Sequence, residues 1–209
     1  MCRVLETIRY ENGRCQNLNY HRQRMNYTRK VLFGLGNEIA LEKAVQQAGK
    51  EQLILGNDGL FKCRVVYDSK IRDIRFLSYV LPQIRSLQLV KSDSIDYPFK
   101  YEDRSPLNRL FTLRGTADDI LIVKNGLVTD TSFCNVLFFN GKQWLTPEQP
   151  LLRGTRRAAL LEKEQIETAV IGVDDLHYFT KVRLINAMIR FEDQLDIPME
   201  KVNRIFFNS

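Results

Sequence analysis

The stretch from Gly126 to Phe139, GLVTDTSFCNVLFF, decides how the second half of this chain folds. Asn125-Gly126 is a hairpin-turn dipeptide, and the apolar residues beyond it predict strands on both sides of a polar break. Asp130 lies at that break, with Thr131 and Ser132 directly behind it. A carboxylate so close to apolar strands normally needs a cationic partner. The stretch therefore predicts a hairpin that presents one acid to a positive charge.

The composition is that of a globular protein. With 209 residues and 44% hydrophobic content, the chain can bury a core in one domain or in two small ones. Its 31 Lys and Arg against 25 Asp and Glu give a net charge of +6, but the basic residues are scattered. We therefore expect no nucleic-acid partner. No apolar run approaches the roughly 20 residues that span a bilayer, so we expect no membrane partner.

The cysteines indicate the cellular compartment. They are far apart, form no C-x-x-C pair and follow no secretory signal: Cys2, Cys15, Cys63 and Cys134. We therefore expect free thiols in a cytoplasmic protein. With only two histidines in the chain and no clustered ligands, we expect no metal site.

Strands and helices alternate along the first half of the chain. Glu11-Asn12-Gly13 predicts a hairpin turn, and Gly34 and Gly36 predict the end of a helix. The predicted strands are Val4 to Tyr10, Arg14 to Leu18, Leu60 to Tyr67 and Ile74 to Val80, and the predicted helices are Tyr20 to Phe33 and Ile39 to Ala48. This half is predicted to form a domain over residues 1–82, a sheet with helices packed on it.

The second half predicts another mixed domain. Residues 83–99, with one short strand from Ser86 to Val90, are the predicted linker, and residues 100–209 are the predicted C-terminal domain. Its predicted elements are helices Arg104 to Leu113, Gly154 to Lys163 and Asp174 to Phe179, and strands Asp119 to Val123, Asn135 to Phe139, Gln143 to Leu145, Gln165 to Ile171 and Lys181 to Ile189. The fold class is α/β (α+β), with two small mixed domains.

Three segments carry side chains suited to an anionic or carbonyl ligand. Arg24 lies on a predicted helix face with inward-turning neighbours, and a guanidinium suits phosphate. Gly154, Thr155 and Arg156 lie at a helix start, where backbone N–H groups and the helix dipole favour an anion. Lys100 follows the linker, and in a desolvated cleft it could form a Schiff base with a carbonyl. A solvated arginine, a routine helix start and a surface lysine are the alternatives at these positions.

Several motifs together resemble one enzyme family. VLETIR (4–9) resembles an F-E-T-x-R strand, and YHRQRM (20–25) resembles H-x-x-R-L. ADDILIVKNGLVTDTSFCNVLFF (117–139) resembles A-D-E-A-L-L-x-x-x-G-x-V-T-E-x-x-x-x-N-x-F, and TPEQPLLRGTRR (146–157) resembles T-P-x-x-x-x-L-x-G-I-T-R. The chain thus resembles the class IV, or fold-type IV, pyridoxal-phosphate aminotransferases. LINAMI (184–189) resembles the C-N-A-L segment of its 4-amino-4-deoxychorismate lyase branch.

The resemblance implies a pyridoxal 5'-phosphate cofactor in the cleft between the two domains and a role for each matching residue. Lys100 would hold the cofactor covalently and then shuttle a proton, with Lys91 in the linker and Lys124 in a solvent-facing turn as rivals. Asp130, where the family has Glu, would face the protonated pyridine nitrogen. The other implied cofactor-binding residues are Arg24, Gly154, Thr155, Arg156, Asn186 and Ala187. The implied substrate-binding residues are Arg9, Lys62 and Arg64.

The resemblance also implies the reaction. The Asn186-Ala187 segment and the small size favour the lyase, which releases pyruvate to give 4-aminobenzoate in folate biosynthesis. A branched-chain or D-amino-acid aminotransferase keeps nearly the same motifs, and a non-catalytic relative could keep the fold for binding. The family's usual D-R-G segment before the first strand is absent, and the stretch from Lys100 to Ala117 is shorter than usual. By resemblance we expect a homodimer acting on a small amino acid or aminodeoxychorismate.

Overall fold

The computed structural model describes residues 2–54 and 59–208, which form two compact units. Unit 1 comprises Met1–Leu81 and Phe99–Asp103, and unit 2 comprises Pro82–Pro98 and Arg104–Ser209. Lys100 belongs to unit 1 because its carbonyl accepts a hydrogen bond from the backbone N of Leu5 at 2.9 Å. This division differs from the predicted ranges 1–82, 83–99 and 100–209, since pairing in space decides which unit a segment joins.

Unit 1 is an antiparallel sheet with two helices. Its elements are β1 (Val4–Glu11), β2 (Arg14–Cys15), α1 (Leu18–Phe33), α2 (Leu41–Glu51), β3 (Leu60–Tyr67) and β4 (Ile71–Ser78). The strands follow the order β2-β1-β3-β4. Alternate residues of β1, among them Val4 and Ile8, pack with Met25 of α1 and Val45 of α2 in one apolar core. The helices therefore cover one face of the sheet.

Unit 2 is built on a larger sheet. Its elements are β5 (Leu87–Lys91), α3 (Ser105–Phe111), β6 (Asp119–Lys124), β7 (Leu127–Thr131), β8 (Asn135–Phe139), β9 (Trp144–Pro147), α4 (Thr155–Glu162), β10 (Glu167–Ala169), β11 (Lys181–Ile185), β12 (Asp196–Pro198) and β13 (Val202–Asn208). Within the described residues the main order is β10-β9-β8-β7-β6-β5-β13, and β11 joins β8 to β12. Short 3₁₀ turns at Thr112–Arg114, Asp174–Tyr178, Phe191–Asp193 and Met199–Lys201 connect these elements.

The strand predicted within the linker is an interior strand of this sheet. β5 pairs in parallel with β6 on one side and with β13 on the other. Its Leu87, Leu89 and Val90 are fully buried. A parallel strand that is buried on both faces has a nearly continuous apolar sequence. β5 has only five residues, which is too short for this pattern to distinguish an interior strand from a linker.

Two predicted hairpin turns are confirmed. Asn12 and Gly13 separate the paired residues Glu11 and Arg14, and both have positive φ, 50° and 76°. Asn125 and Gly126 do the same between β6 and β7, with φ of 50° and 78°. A two-residue turn of this type needs positive φ at both positions, which Asn and Gly tolerate. The mixed α/β content that the sequence predicts is confirmed as well. No helix in the described part of the chain combines the length and apolar character needed to cross a membrane.

Candidate functional site

A buried carboxylate of β1 binds two basic side chains of α1. Glu6 is 0% exposed, and its Oε1 accepts a hydrogen bond from Arg24 Nε at 3.0 Å. Its Oε2 accepts from Arg24 Nη2 at 2.5 Å and lies 2.6 Å from His21 Nδ1. His21 is 1% exposed, whereas the Arg24 side chain is 14% exposed. Arg24 is therefore the member of this group that reaches solvent.

The pKa values of these groups follow from burial and charge. Burial alone would raise the pKa of Glu6, but the charge of Arg24 and the hydrogen bond and charge of His21 lower it to about 2. Burial lowers the pKa of His21, against the contact with Glu6, and the charges of Arg24 and Lys100 lower it further. Glu6 is thus ionised and His21 neutral near pH 7, with Lys100 close enough to act on the ring.

We predict that Glu6 makes the protein sensitive to acid. The pKa is about 2 in the folded chain and 4.5 as the reference, so the stabilisation is present above pH 4.5 and is lost as the pH falls towards 2. A pKa shift of this size corresponds to a contribution of about 3 kcal/mol to the free energy of unfolding. The free energy of unfolding of Glu6→Gln, measured in urea between pH 6 and 3, should fall less steeply than that of the unmodified protein. Equal slopes would contradict the prediction.

The other face of the unit 1 sheet carries the residues predicted to bind substrate. Arg9 pairs across the strands with Lys62, and Arg64 is two residues further along β3. Since residues alternate between the faces of a strand, these side chains lie opposite Glu6 and α1. The structure therefore brings Arg9, Lys62 and Arg64 to one face but does not bring them together with Arg24.

Two of these three cations already have carboxylate partners. Arg9 donates to Glu11 through Nε at 3.1 Å and Nη2 at 2.8 Å, and it is only 2% exposed. Arg64 Nη2 donates to Glu102 at 2.7 Å. Lys62 Nζ lies 5.9 Å from the centroid of the Tyr79 ring, and no carboxylate in the described residues forms an ion pair with it. The contacts thus favour Lys62 as the group open to an acidic ligand.

In unit 2, Asp130 is buried at the end of β7. Its exposed fraction is 5%, and it pairs with Asn135 of β8 across the hairpin. Asn135 Nδ2 donates to Oδ1 at 2.8 Å, and the backbone N of Leu152 donates to Oδ2 at 2.9 Å. Burial raises the pKa of Asp130 to about 6, although these hydrogen bonds and the charge of Arg157 act in the opposite direction. An additional cation would therefore stabilise the carboxylate strongly.

Asn135 also holds the loop that leads into α4. Its Nδ2 donates to the carbonyl of Leu152 at 2.9 Å. A Cβ atom at Gly154 would lie 1.9 Å from Asn135 Oδ1, so only glycine fits here. Gly154 is the N-cap of α4, Thr155 is its buried first residue, and Arg156 follows half-buried. The loop thus brings the N-terminus of α4 next to β8, the strand that carries Asn135.

We predict that Gly154→Ala disrupts this loop. The added methyl group must displace Asn135, which breaks its hydrogen bonds to Asp130 and to the Leu152 carbonyl. Overpacking of this kind typically costs about 1–3 kcal/mol. Thermal melting should show the loss, and Gly36→Ala is the matched control because nothing lies within 4 Å of its Cβ position. Equal melting temperatures for the two variants would contradict the prediction.

Comparisons with known proteins place this arrangement in a family. Residues 107–191 match the family model described as amino-transferase class IV. A protein of Haemophilus influenzae described only as uncharacterized is 38% identical over 190 residues, which are 88% of this chain and 97% of that protein. A crystal structure provisionally described as a 4-amino-4-deoxychorismate lyase from Haemophilus somnus 129pt is 34% identical. It covers 91% of this chain and 98% of its own, with a TM-score of 0.84.

The chain belongs to the class IV aminotransferase family. The predicted resemblance and the prediction of an enzyme are confirmed by this membership. A more distant structure, the PLP-bound form of a hypothetical aminotransferase from Mycobacterium tuberculosis, is 18% identical and covers 90% of this chain and 78% of its own. Its TM-score of 0.73 shows the same fold.

The last two predicted cofactor-binding residues, Asn186 and Ala187, lie in the turn after β11. Asn186 Oδ1 accepts hydrogen bonds from the backbone N of Met188 at 2.8 Å and of Ile189 at 2.9 Å. Its Nδ2 lies 3.3 Å from Cys134 Sγ. Asn186 therefore shapes the turn after β11, and Ala187 lies half-buried within that turn. Their roles towards a cofactor stay predictions.

The two rival lysines have other contacts in the structure. Lys91 Nζ lies 3.5 Å from Asp93 Oδ2 at the surface. The sequence predicts that Lys124 faces solvent, but its Nζ donates to the carbonyl of Ile95 at 2.6 Å. The expectation for Lys124 was wrong because the turn after β6 packs against the segment that follows β5.

Sequence reasoning missed two residues of the site. Glu6 lies between Val4 and Ile8 on the apolar face of β1, and the two-residue spacing of that face could have revealed it. Arg157, rather than Arg156, is the arginine whose charge acts on Asp130. It is 7% exposed and donates through Nε to Thr146 Oγ1 at 3.1 Å. Its spacing of three and four residues from Leu160 and Leu161 predicts an inward position on α4.

Proposed function

We propose that the protein is a pyridoxal-phosphate-dependent enzyme that acts as a 4-amino-4-deoxychorismate lyase. The observation that carries this proposal is the 34% identity, over 91% of the chain, to the structure provisionally described as that lyase. The product would be 4-aminobenzoate, with release of pyruvate, and the reaction would then belong to folate biosynthesis.

The residues present fit the polar groups of the cofactor. A phosphate needs a guanidinium or a helix N-terminus, and the chain offers Arg24 beside solvent and the glycine-capped start of α4. A protonated pyridine nitrogen needs a carboxylate, and Asp130 is a buried carboxyl group whose raised pKa a cation would lower. Because residue 154 is a glycine, the loop before α4 can pack closely against the side chain of Asn135.

In this proposal each residue has one task. Pyridoxal phosphate, when bound, supplies an electron sink for negative charge at the substrate carbon. Lys100 Nζ would hold the cofactor covalently, and as a free amine it would take up and return the substrate's proton. Arg24, Gly154, Thr155 and Arg156 would bind the phosphate, and Asp130 would keep a proton on the ring nitrogen. Asn186 and Ala187 support the cofactor from the turn after β11.

For the substrate, the proposal favours Lys62 over Arg9 and Arg64. Glu11 and Glu102 already compensate the two arginines, whereas Lys62 has no carboxylate partner in the described residues. Lys62→Met should therefore raise the KM for an acidic substrate more than it lowers kcat, since it removes binding and not chemistry.

The test is a comparison of two reactions by purified protein loaded with pyridoxal phosphate. Formation of 4-aminobenzoate and pyruvate in equal amounts from 4-amino-4-deoxychorismate, with no keto acid added, supports the lyase. Transfer of an amino group from a branched-chain or D-amino acid to 2-oxoglutarate, without 4-aminobenzoate formation, overturns the lyase and leaves the aminotransferase. If the cofactor binds but neither reaction occurs, the result favours a non-catalytic relative.

Two further properties are part of the proposal. We expect a cytoplasmic protein, because all four cysteines are free thiols in the structure. We expect a homodimer, which gel filtration with light scattering would reveal as about twice the monomer mass of 24.4 kDa.

A further inference from the structure

Glu6 occupies a position where a carboxylate is costly. It lies on the face of β1 that packs the apolar core of unit 1, it is 0% exposed, and its neighbours on that face include Val4 and Ile8. Replacing a buried ion pair by apolar side chains of similar size is often neutral or stabilising. Stability alone therefore does not explain why a charge lies here.

The geometry of the contacts indicates what the charge does. Glu6 grips one edge of the Arg24 guanidinium through Nε at 3.0 Å and Nη2 at 2.5 Å, which is the side-on, two-point pairing that fixes the plane of an arginine. His21 Nδ1, 2.6 Å from the same carboxylate, holds Glu6 in turn. Of the three side chains only Arg24 is exposed beyond 1%. Glu6 and His21 are thus shielded from solvent, whereas part of the Arg24 side chain reaches it.

We propose that Glu6 is a positioning residue that holds the Arg24 guanidinium ready for the cofactor's phosphate. This inference rests on the proposed function, in which Arg24 binds that phosphate. A long, flexible side chain that is ordered before the ligand arrives loses less conformational freedom on binding. Glu6 also compensates the charge of Arg24 while no phosphate is present, so the guanidinium can stay partly buried.

A purely electrostatic role of Glu6 and a positioning role have opposite effects on phosphate binding. If Glu6 acted only as a negative charge near the phosphate, Glu6→Gln would remove a repulsion and tighten phosphate binding. If Glu6 positions Arg24, Glu6→Gln weakens phosphate binding, because the neutral amide cannot hold both guanidinium nitrogens as strongly.

The experiment measures equilibrium affinities for two probes, pyridoxal phosphate and pyridoxal, which differ only in the phosphate. Their ratio reports phosphate recognition and is insensitive to changes at Lys100 or Asp130. We expect Glu6→Gln to lower this ratio at least tenfold. Glu6→Asp, which keeps the charge but shortens the reach, should lower it as well, and it decides the question if the Gln variant does not fold. Asp68→Asn is the matched control, because Asp68 is another carboxylate of unit 1 whose pKa an arginine, Arg72, helps to lower to about 2.

The outcomes separate this inference from the proposed function. No preference for pyridoxal phosphate in the unmodified protein would remove the phosphate role of Arg24 itself. A preference in the unmodified protein that Glu6→Gln retains or increases would overturn the positioning role and leave the proposed function in place. Equal loss of both probes, with the ratio unchanged, would show that Glu6 acts only on the fold and would also overturn it.

Discussion

Lys100→Ala is expected to lose the covalent adduct that the unmodified protein forms with pyridoxal phosphate. Lys100 lies in unit 1, where its carbonyl pairs with Leu5 and its charge acts on buried His21. As a free amine, the Lys100 side chain is the nucleophile that would attach the cofactor. Without it no group remains to attach the cofactor covalently or to move the proton, so turnover should fall by about 10²- to 10⁴-fold.

Borohydride reduction followed by peptide mapping measures this directly. In the unmodified protein the reduced adduct should lie on the peptide that contains Lys100, and visible absorbance should disappear on reduction. Lys91→Ala and Lys124→Ala are the matched controls, because both lysines already contact other groups at the surface or in a turn. An adduct that persists in Lys100→Ala, or moves to Lys124 with turnover intact, would show that the attachment site is assigned to the wrong lysine.

Asp130→Ala is expected to keep the cofactor bound and to slow turnover. The carboxylate is proposed to hold a proton on the ring nitrogen, and removing one group that stabilises developing charge typically costs about 10²- to 10³-fold in kcat. Attachment through Lys100 and the phosphate contacts do not require Asp130. The expected signature is therefore a bound cofactor with normal stoichiometry and a low kcat.

A second variant separates chemistry from folding at this position. Asp130→Asn has nearly the same shape and keeps one acceptor oxygen for the backbone N of Leu152, although it loses the hydrogen bond from Asn135 Nδ2. The loop before Gly154 should therefore be disturbed less than in Asp130→Ala. Asp130→Asn should lose turnover about as severely as Asp130→Ala while melting at a higher temperature. Unchanged turnover in both variants would remove the role assigned to Asp130.

The elements that sequence reasoning located well are those with strong local signals. The turns at Asn12-Gly13 and Asn125-Gly126 follow from the residues that tolerate positive φ, and the long helix α1 follows from its spacing and from Gly34. Short elements have weaker signals. β5 lies within the predicted linker because its five residues pair with strands that are distant in the chain.

The candidate residues show the same division. Asp130, Gly154 and Arg24 could be named from motifs, because each motif fixes a residue type at a set spacing along the chain. The pairing of these residues with their partners does not follow from spacing, since Glu6 meets Arg24 across 18 residues and Asn135 meets the carbonyl of Leu152 across 17. Such contacts depend on how a helix or loop lies against a strand.

The sequence by itself determined the family, the hairpins and the residue types available for the chemistry, because these depend on local backbone preferences and on motif spacing. Only the tertiary structure decided which of those residues are already neutralised. It paired Arg9 with Glu11 and left Lys62 without a carboxylate in the described residues. It also raised the pKa of Asp130 to about 6 by burial. The physical reason is that charge compensation and desolvation depend on neighbours in space, and those neighbours are set by packing.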